Sequence, residues 1–514
     1  MSDYIKSLIR SIDLGFPFVA VTTPDYPDTL RAIKEEMIEE ASRKNGTDYA
    51  LLHWDMARGA IGVNDLGAES QAVINSGAEP AVTTAKFEEC LQRALDLMPK
   101  QTVLVMDDVH LMLEHKDETV RALYIQSIRN CREAFKATER CLVFLCPSIK
   151  LPAELVNDVE IIDAPLPDEE QINRKTEEIC KGDNIRLEPT DELKKKVADA
   201  LLGLTMFSSE NAMAKCVSRS GFDYPALWKT KRSYIRQVGC LSVPEAVSSF
   251  DQLGGLDYIK EYGRQIIGGK RRPRLVVLLD EIDKWVASLG DSNGINADAL
   301  GQLLGAMQDY DWDGITLPGF AGTGKTEWAK ALGNEAGGMF LQMDLGGAKG
   351  GIVGDSERMI RQAIQMLYAM GKERVLFVAT CNDMSILQRK PELLRRLAYG
   401  INFFDLPTEE EQRPIWDLYL KRFEIPEQDL PSCDGWTGAE IKKVCKLADE
   451  FGLPLADVAG RITPVCKTMG SGVDALREQA EKGYWVSAKS GKPYSKKRSL
   501  SLESVRKIGK VGNN

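Results

Sequence analysis

Histidine is scarce: the 514 residues contain three, His53, His110 and His115. They are too few and too isolated for a zinc centre or a histidine-based catalytic triad. The eleven cysteines include no C-x-x-C pair, and the nearest two, Cys141 and Cys146, fall in and just after a strand-like run. They read as buried reduced thiols, which excludes a disulfide framework. No uninterrupted apolar run reaches the roughly 18 residues that cross a membrane. The segment Met1 to Ile12 carries Asp3, Lys6 and Arg10 where a signal peptide would be apolar. Positive charge is also short, and a formal net charge of −10 excludes a surface built throughout to hold phosphate backbones. These deficits predict a cytoplasmic protein without a membrane segment.

What is present supports several buried cores. Apolar residues make up 43% of the chain, ordinary for a globular protein, and the length leaves room for about three compact units.

The most informative run is Gly319-Phe320-Ala321-Gly322-Thr323-Gly324-Lys325-Thr326, a complete G-x-x-x-x-G-K-T. Apolar Ile315-Thr316-Leu317 precedes it and a helix-like stretch from Glu327 to Glu335 follows. Strand, glycine-rich turn and helix in that order form a phosphate cradle, because glycines let successive backbone N–H groups turn toward an anion. Lys325 brings positive charge to the terminal phosphates, and the Thr326 hydroxyl is suited to Mg²⁺. A plain glycine turn is the alternative, and the flanking strand and helix speak against it.

Leu275-Val276-Val277-Leu278-Leu279 is an apolar strand that ends in Asp280-Glu281. Beside a phosphate loop these acids have roles: Asp280 orients Mg²⁺ through its water shell, and Glu281 polarises the attacking water. Without the loop they would read as solvated surface. A third strand, Val375 to Thr380, ends at Cys381-Asn382. The Asn382 amide there reads either as a holder of the γ-phosphate or lytic water, or as a turn former.

The first half repeats the strand–loop–helix theme. An apolar run from Phe16 to Val21 leads into Thr22-Thr23-Pro24-Asp25-Tyr26-Pro27 and then a helical pattern from Asp28 to Arg43. Thr102 to Met106, ending in Asp107-Asp108, and Cys141 to Leu145 are further buried strands. The loop after the first strand has neither glycine nor lysine, so no ATP is expected there.

Together these residues resemble the AAA class of P-loop ATPases over about Ser249 to Leu447. Ser249-Phe250-Asp251-Gln252-Leu253-Gly254-Gly255-Leu256 looks like the linker that passes the adenine, and Ile352-Val353-Gly354-Asp355-Ser356-Glu357-Arg358 like the segment after the pore loop. Pro391-Glu392-Leu393-Leu394-Arg395-Arg396 looks like the stretch that carries arginine fingers, although two solvated helix-end arginines would read the same. Thr437-Gly438-Ala439-Glu440-Ile441 looks like the lid helix, with Gly438 and Ala439 at the nucleotide. More narrowly, the architecture is similar to plastid and cyanobacterial AAA proteins with a degenerate ATPase-like domain ahead of one active module. Leu201-Leu202-Gly203-Leu204-Thr205 and Glu210-Asn211-Ala212-Met213-Ala214-Lys215 carry that likeness in the first half.

The resemblance implies an α/β protein of two P-loop-NTPase-like parallel-sheet units, the first degenerate, each followed by a small helical lid. The expected divisions are 1–168, 169–236 for the first lid and linker, 237–406, 407–470 for the second lid, and 471–514 as a basic tail.

Three departures from the family pattern stand out. The acidic strand precedes the phosphate loop, an inverted order. Exchanging blocks 275–313 and 314–374 restores the pattern, and every junction falls just before a strand. Because the implied sheet sets the lysine and acidic strands on either side of the Asn382 strand, each rewired connection spans roughly 5–10 Å, which two or three extended residues cover. The site is therefore expected to assemble, with right-handed crossovers retained. Second, the pore loop carries Ile352 among Gly346, Gly347, Gly350 and Gly351 where an aromatic usually grips substrate. Third, Arg395-Arg396-Leu397-Ala398-Tyr399 lacks the usual later arginine, which favours Arg395 as the finger.

From Lys482 to Asn514 nine Lys/Arg face the single Glu503, with Tyr484, Trp485 and Tyr494 interspersed. The segment reads either as a solvated tail or as a surface for nucleic acid or an acidic protein. The expected function is Mg-dependent ATP hydrolysis coupled to remodelling of a protein partner. ATP would sit at 319–326, Mg²⁺ at Thr326 and Asp280, and Glu281, Asn382, Arg395 and Arg396 would be catalytic. The working form would be a homo-oligomeric ring, by resemblance a hexamer. An ATP-dependent scaffold with little turnover is the rival reading, and a DNA-processing motor would rest on the tail alone.

Overall fold

The computed structural model describes residues 2–38, 49–76, 85–182, 185–244, 248–287, 295–344 and 355–495. The chain divides between Leu227 and Trp228 into two compact units. The pore-loop reading at 346–352 and the tail beyond 495 lie outside the described residues. Among the described residues no helix is long and apolar enough to cross a membrane.

The first unit is built on β1 (Phe18–Thr22), β2 (Ala50–Asp55), β3 (Gly59–Gly62), β4 (Thr102–Asp107), β5 (Cys141–Cys146) and β6 (Val159–Asp163). Their order across the sheet is β3-β2-β4-β5-β1-β6, parallel except for the edge strand β3. Every residue of β1 and β5 is buried, as in a parallel sheet covered on both faces. Phe18, Leu104 and Phe144 contribute to one core, Val19, Val105 and Val143 to another. A helical group, Glu169–Cys180, Asp191–Leu201 and Met206–Cys216, follows β6, and a short hairpin, β7 (Val217–Ser218) and β8 (Gly221–Phe222), comes after it.

The second unit contains β9 (Leu241–Ser242), β10 (Leu275–Leu279), β11 (Asp313–Pro318), β12 (Met339–Met343), β13 (Val375–Cys381), β14 (Asn402–Phe403) and β15 (Val486–Ser487). Its main sheet runs β11-β13-β10-β12-β9. β14 lies beside β11 through the bridges Thr316↔Ile401 and Gly319↔Phe404. The spatial order β14-β11-β13-β10-β12-β9 repeats that of the first unit, β6-β1-β5-β4-β2-β3, down to the antiparallel edge strand. Among the mutually parallel strands, the counterpart of β4 comes first along the chain, as β10. As the sequence leads one to expect, the lysine strand and the acidic strand flank the Asn382 strand.

Crossover handedness explains why this rewiring folds. The steps β10 to β11 and β12 to β13 run the same way across the sheet, so right-handed connections put their helices in one layer. Helices Ile295–Asp309 and Asp355–Gly371 do pack on each other, with Tyr310 stacked on Tyr368 at 4.3 Å. The step β11 to β12 runs the other way, and its helix, Lys325–Glu335, packs with Asp257–Gly268. There Trp328, Ala329 and Leu332 share a core with Val276, Leu278, Ile315, Leu317 and Val378. At the junctions Arg274 donates its backbone N–H to Arg374, at 2.9 Å, and accepts from Met339, at 3.1 Å, so the starts of neighbouring strands are tied together.

Helices Glu409–Arg422, Gly438–Phe451 and Leu455–Ala459 form a lid with its own core of Trp416, Trp436, Ile441 and Val444. Thr408 begins the first with a reciprocal capping box to Glu411, and at the start of the second Thr437 N–H donates to Glu440 Oε2 at 2.6 Å. The chain then continues through helix Ser471–Lys482 into β15, which pairs in parallel with β14. The first part of the segment read as a tail is thus an element of the second unit. Trp485 and Tyr494, read as stacking aromatics, are 3% and 8% exposed and pack on Phe403. Only Tyr484, 80% exposed, keeps a free face.

Candidate functional site

Parallel strands β10, β11 and β13 all point their carboxyl ends to one edge, where Asp280-Glu281, the glycine loop and Asn382 follow. In the loop, Gly322 and Gly324 have φ of +81° and +97°, values that side chains resist. A Cβ on Gly322 would also lie 2.6 Å from Thr437 Oγ1 and 2.9 Å from the Ala439 Cβ, so a bare backbone is what lets the lid helix close on the loop. Ala439 N–H donates to the Gly322 carbonyl at 3.2 Å.

Lys325 opens the following helix. Its Nζ donates to the carbonyls of Gly319 and Phe320, both at 2.7 Å, and to Asn382 Oδ1 at 3.0 Å. Burial pulls its pKa down to about 8, against the partial support of Asp283, Asp280 and Glu281 nearby. Gly319 and Phe320 therefore serve the lysine through their carbonyls. The Phe320 ring is buried edge-on to Phe403 and does not line the cavity.

Thr326 Oγ1 donates to Asp280 Oδ1 at 3.0 Å, and Thr380 Oγ1 donates to the same oxygen at 2.7 Å. Thr380 in turn accepts from the Glu281 backbone N–H at 2.9 Å. Glu281, at φ +49°, turns its carboxylate toward Asn382 Nδ2 at 3.2 Å and toward Lys284 Nζ at 2.5 Å. One connected network thus joins Lys325, Asn382, Glu281, Thr380, Asp280 and Thr326. Next to it, Asp283 accepts from the Asp383 N–H at 3.2 Å, and burial raises its pKa.

These groups form one end of a cavity of about 330 Å³. Ala321 to Thr326, Asp280, Glu281, Thr380 and Asn382 line that end. Gln252 to Leu256, Pro407, Ile415, Leu418 and Tyr419 line an apolar remainder, and Gly438, Ala439 and Lys442 of the lid border it. Thr326 and Asp280 offer only oxygen donors, the set that Mg²⁺ takes together with phosphate oxygens. The residues present therefore fit that ion.

Arg395 and Arg396 do not line this cavity. They end helix Pro391–Arg396, where Arg395 is exposed and Arg396 donates to Gln308 Oε1 at 2.6 Å. Sequence reasoning gave no role to Thr380, Asp405, Glu411, Lys442 or Lys489, all of which line the cavity. Thr380 carried a signal, a hydroxyl ending an otherwise apolar strand beside the acidic one. Lys489 carried none, since only folding brings it there.

The corresponding edge of the first unit differs. Asp25 caps helix Tyr26–Ala32 by accepting from Asp28 N–H at 3.3 Å, and also accepts from Phe207 N–H at 3.0 Å. Tyr26 OH donates to Asp108 Oδ1 at 2.6 Å, and His53 Nε2 lies 2.9 Å from Asp107 Oδ2. A carboxylate already occupies the helix start where an anion would bind.

Comparison with known proteins agrees with this division. Residues 1–164 match the family model of the SpoVK-like AAA ATPase N-terminal domain. Residues 315–384 match that of the ATPase family associated with various cellular activities, AAA. The second match begins in β11 and leaves β10 outside it, as the inverted order requires. The chain is similar to the uncharacterized AAA domain-containing protein ycf46 of Guillardia theta, 22% identical over 93% of this chain and 95% of that protein. The proteins of the same name from Pyropia yezoensis and Gracilaria tenuistipitata var. liui are each 23% identical, over 62% and 69% of this chain and 68% and 71% of their own lengths. An AAA domain implies nucleotide binding and an ATP-dependent activity.

Proposed function

We propose that this chain, which joins a SpoVK-like AAA N-terminal domain to an AAA ATPase domain, hydrolyses ATP at its second unit and uses the energy to remodel a protein partner. The observation that carries the reading is the network from Lys325 through Asn382, Glu281 and Thr380 to Asp280 and Thr326. In it the triphosphate lies on the N–H groups of 319–326, and Lys325 exchanges its carbonyl partners for phosphate oxygens. Thr326 and Asp280 would hold Mg²⁺, which would supply neutralising charge to the phosphates. Glu281 takes a proton from water as its oxygen bonds to the γ-phosphorus and the bond to the ADP oxygen breaks. Asn382 holds the Glu281 carboxylate and the γ-phosphate in register. Gly254-Gly255-Leu256, Gly438 and Ala439 border the rest of the nucleotide.

Arg395, exposed and away from its own cavity, is suited to reach a neighbouring subunit's phosphate. On this reading the working form is a homo-oligomeric ring, a hexamer by family resemblance. All eleven cysteines are free thiols, which suits a reducing, cytoplasmic setting. The test is steady-state phosphate release with Mg²⁺ and with chelator, for the native chain and for Glu281→Gln. Loss of at least about a hundredfold in rate with nucleotide affinity kept supports hydrolysis. An unchanged rate removes Glu281 as the base and leaves the scaffold reading in its place.

A further inference from the structure

The last described segment reaches the nucleotide cavity. Trp485 to Tyr494 fold back as a hairpin: Val486 bridges Pro493, and Tyr494 N–H donates to the Trp485 carbonyl at 2.7 Å. β15 extends β14, and Ala488, fully buried, joins the core of Phe250, Ile259 and Phe404. The Ala488 carbonyl accepts from Ile259 N–H at 3.2 Å. Asp405, 7% exposed, anchors the segment, accepting from Arg477 Nε at 2.9 Å and Tyr494 OH at 3.0 Å.

This docking carries Lys489 to the cavity wall, where its partner Glu411 lies against Gly255. Its Nζ donates to the Leu406 carbonyl at 2.6 Å and to Glu411 Oε2 at 2.5 Å. An ammonium has three donors, and two are thus committed within the protein. We infer that the hairpin 485–494 is part of the nucleotide site and that Lys489 directs its remaining donor to an acceptor on the base. Hairpin docking and nucleotide binding then stabilise each other, because linkage between them is reciprocal. The inference rests on the nucleotide reading of this cavity.

The experiment separates the two ends of the ligand. ATP and inorganic tripolyphosphate are titrated against the native chain, Lys325→Ala and Lys489→Met. A double variant, Lys489→Met with Glu411→Gln, removes the carboxylate that the single change would strand, and Gln preserves the capping box. Expected are weaker binding of both ligands in Lys325→Ala, and about tenfold weaker ATP binding with unchanged tripolyphosphate binding in both Lys489 variants. Equal affinity for ATP, or an equal loss for both ligands in the double variant, overturns the role of Lys489. A native chain that binds neither ligand overturns the nucleotide reading itself, and this inference with it. In the native chain, hydrogen exchange at the amides of Ile259, Ala488 and Tyr494 is expected to slow on adding ATP. Unchanged exchange overturns the coupling without any dependence on how a variant folds.

Discussion

Thr326 and Asp280 share a 3.0 Å hydrogen bond although the chain reaches the acid 46 residues before the hydroxyl. Chain order and spatial order are separable here because the site is made by the carboxyl ends of three parallel strands. Any connection of sufficient reach and right-handed course delivers those ends to the same edge. The first unit shows the ordinary succession for the same sheet order, so one polypeptide contains both routes to it.

Lys325 gives a pH signature. Its pKa is lowered from 10.5 to about 8 by burial, so the folded chain releases this proton more readily than the unfolded chain. The contribution of this group to stability without nucleotide therefore rises as pH climbs from about 8 to 10.5. Nucleotide affinity moves the opposite way, because phosphates require the charged amine, and it should fall as pH passes about 8. Calorimetry near that pH in buffers of different ionisation enthalpy should report proton uptake on ATP binding. Release, or no exchange, would contradict the assignment of Lys325 to the phosphates.

Thr380 is 1% exposed and links Glu281 to Asp280. Thr380→Val keeps the shape, removes the hydroxyl and strands the Glu281 N–H. We expect a loss of about 1–3 kcal/mol in stability by denaturant unfolding. Turnover should also fall about tenfold or more, with a higher Mg²⁺ requirement. A rate unchanged at saturating Mg²⁺ would show that this bridge does not orient the acids.

Gly322→Ala sets a methyl 2.6 Å from Thr437 Oγ1 at a φ of +81°. The lid helix must withdraw or the loop must distort. ATP affinity should fall by at least about tenfold, while stability drops by only about 1 kcal/mol because the strain sits at the cavity mouth. Affinity equal to the native chain would mean that the lid does not close on this loop.

Asp25 caps the helix that follows the first strand of the first unit. Asp25→Ala removes a helix cap and the acceptor for Phe207 N–H, which should cost about 1–2 kcal/mol. Nucleotide stoichiometry should remain one per chain in Asp25→Ala, and the affinity of that single site should fall in Lys325→Ala. A second binding event in the native chain would contradict a nucleotide-free first unit.

The sequence by itself determined which groups the candidate site brings together: a glycine run, a lysine, a hydroxyl and two carboxylates at strand ends. It also determined the layer architecture, since runs such as Leu275–Leu279 and Cys141–Cys146 are apolar throughout and suit only a sheet covered on both faces. Local composition carries such information because backbone freedom, charge and burial preference belong to single residues. Tertiary structure alone decided that Trp485 and Tyr494 are core and that Lys489 borders the cavity. Those outcomes depend on which strands become neighbours. Nothing in the spacing of Asp405, Arg477 and Lys489 along the chain encodes that β15 adds to β14, and that one pairing turns a basic tail into a wall of the site.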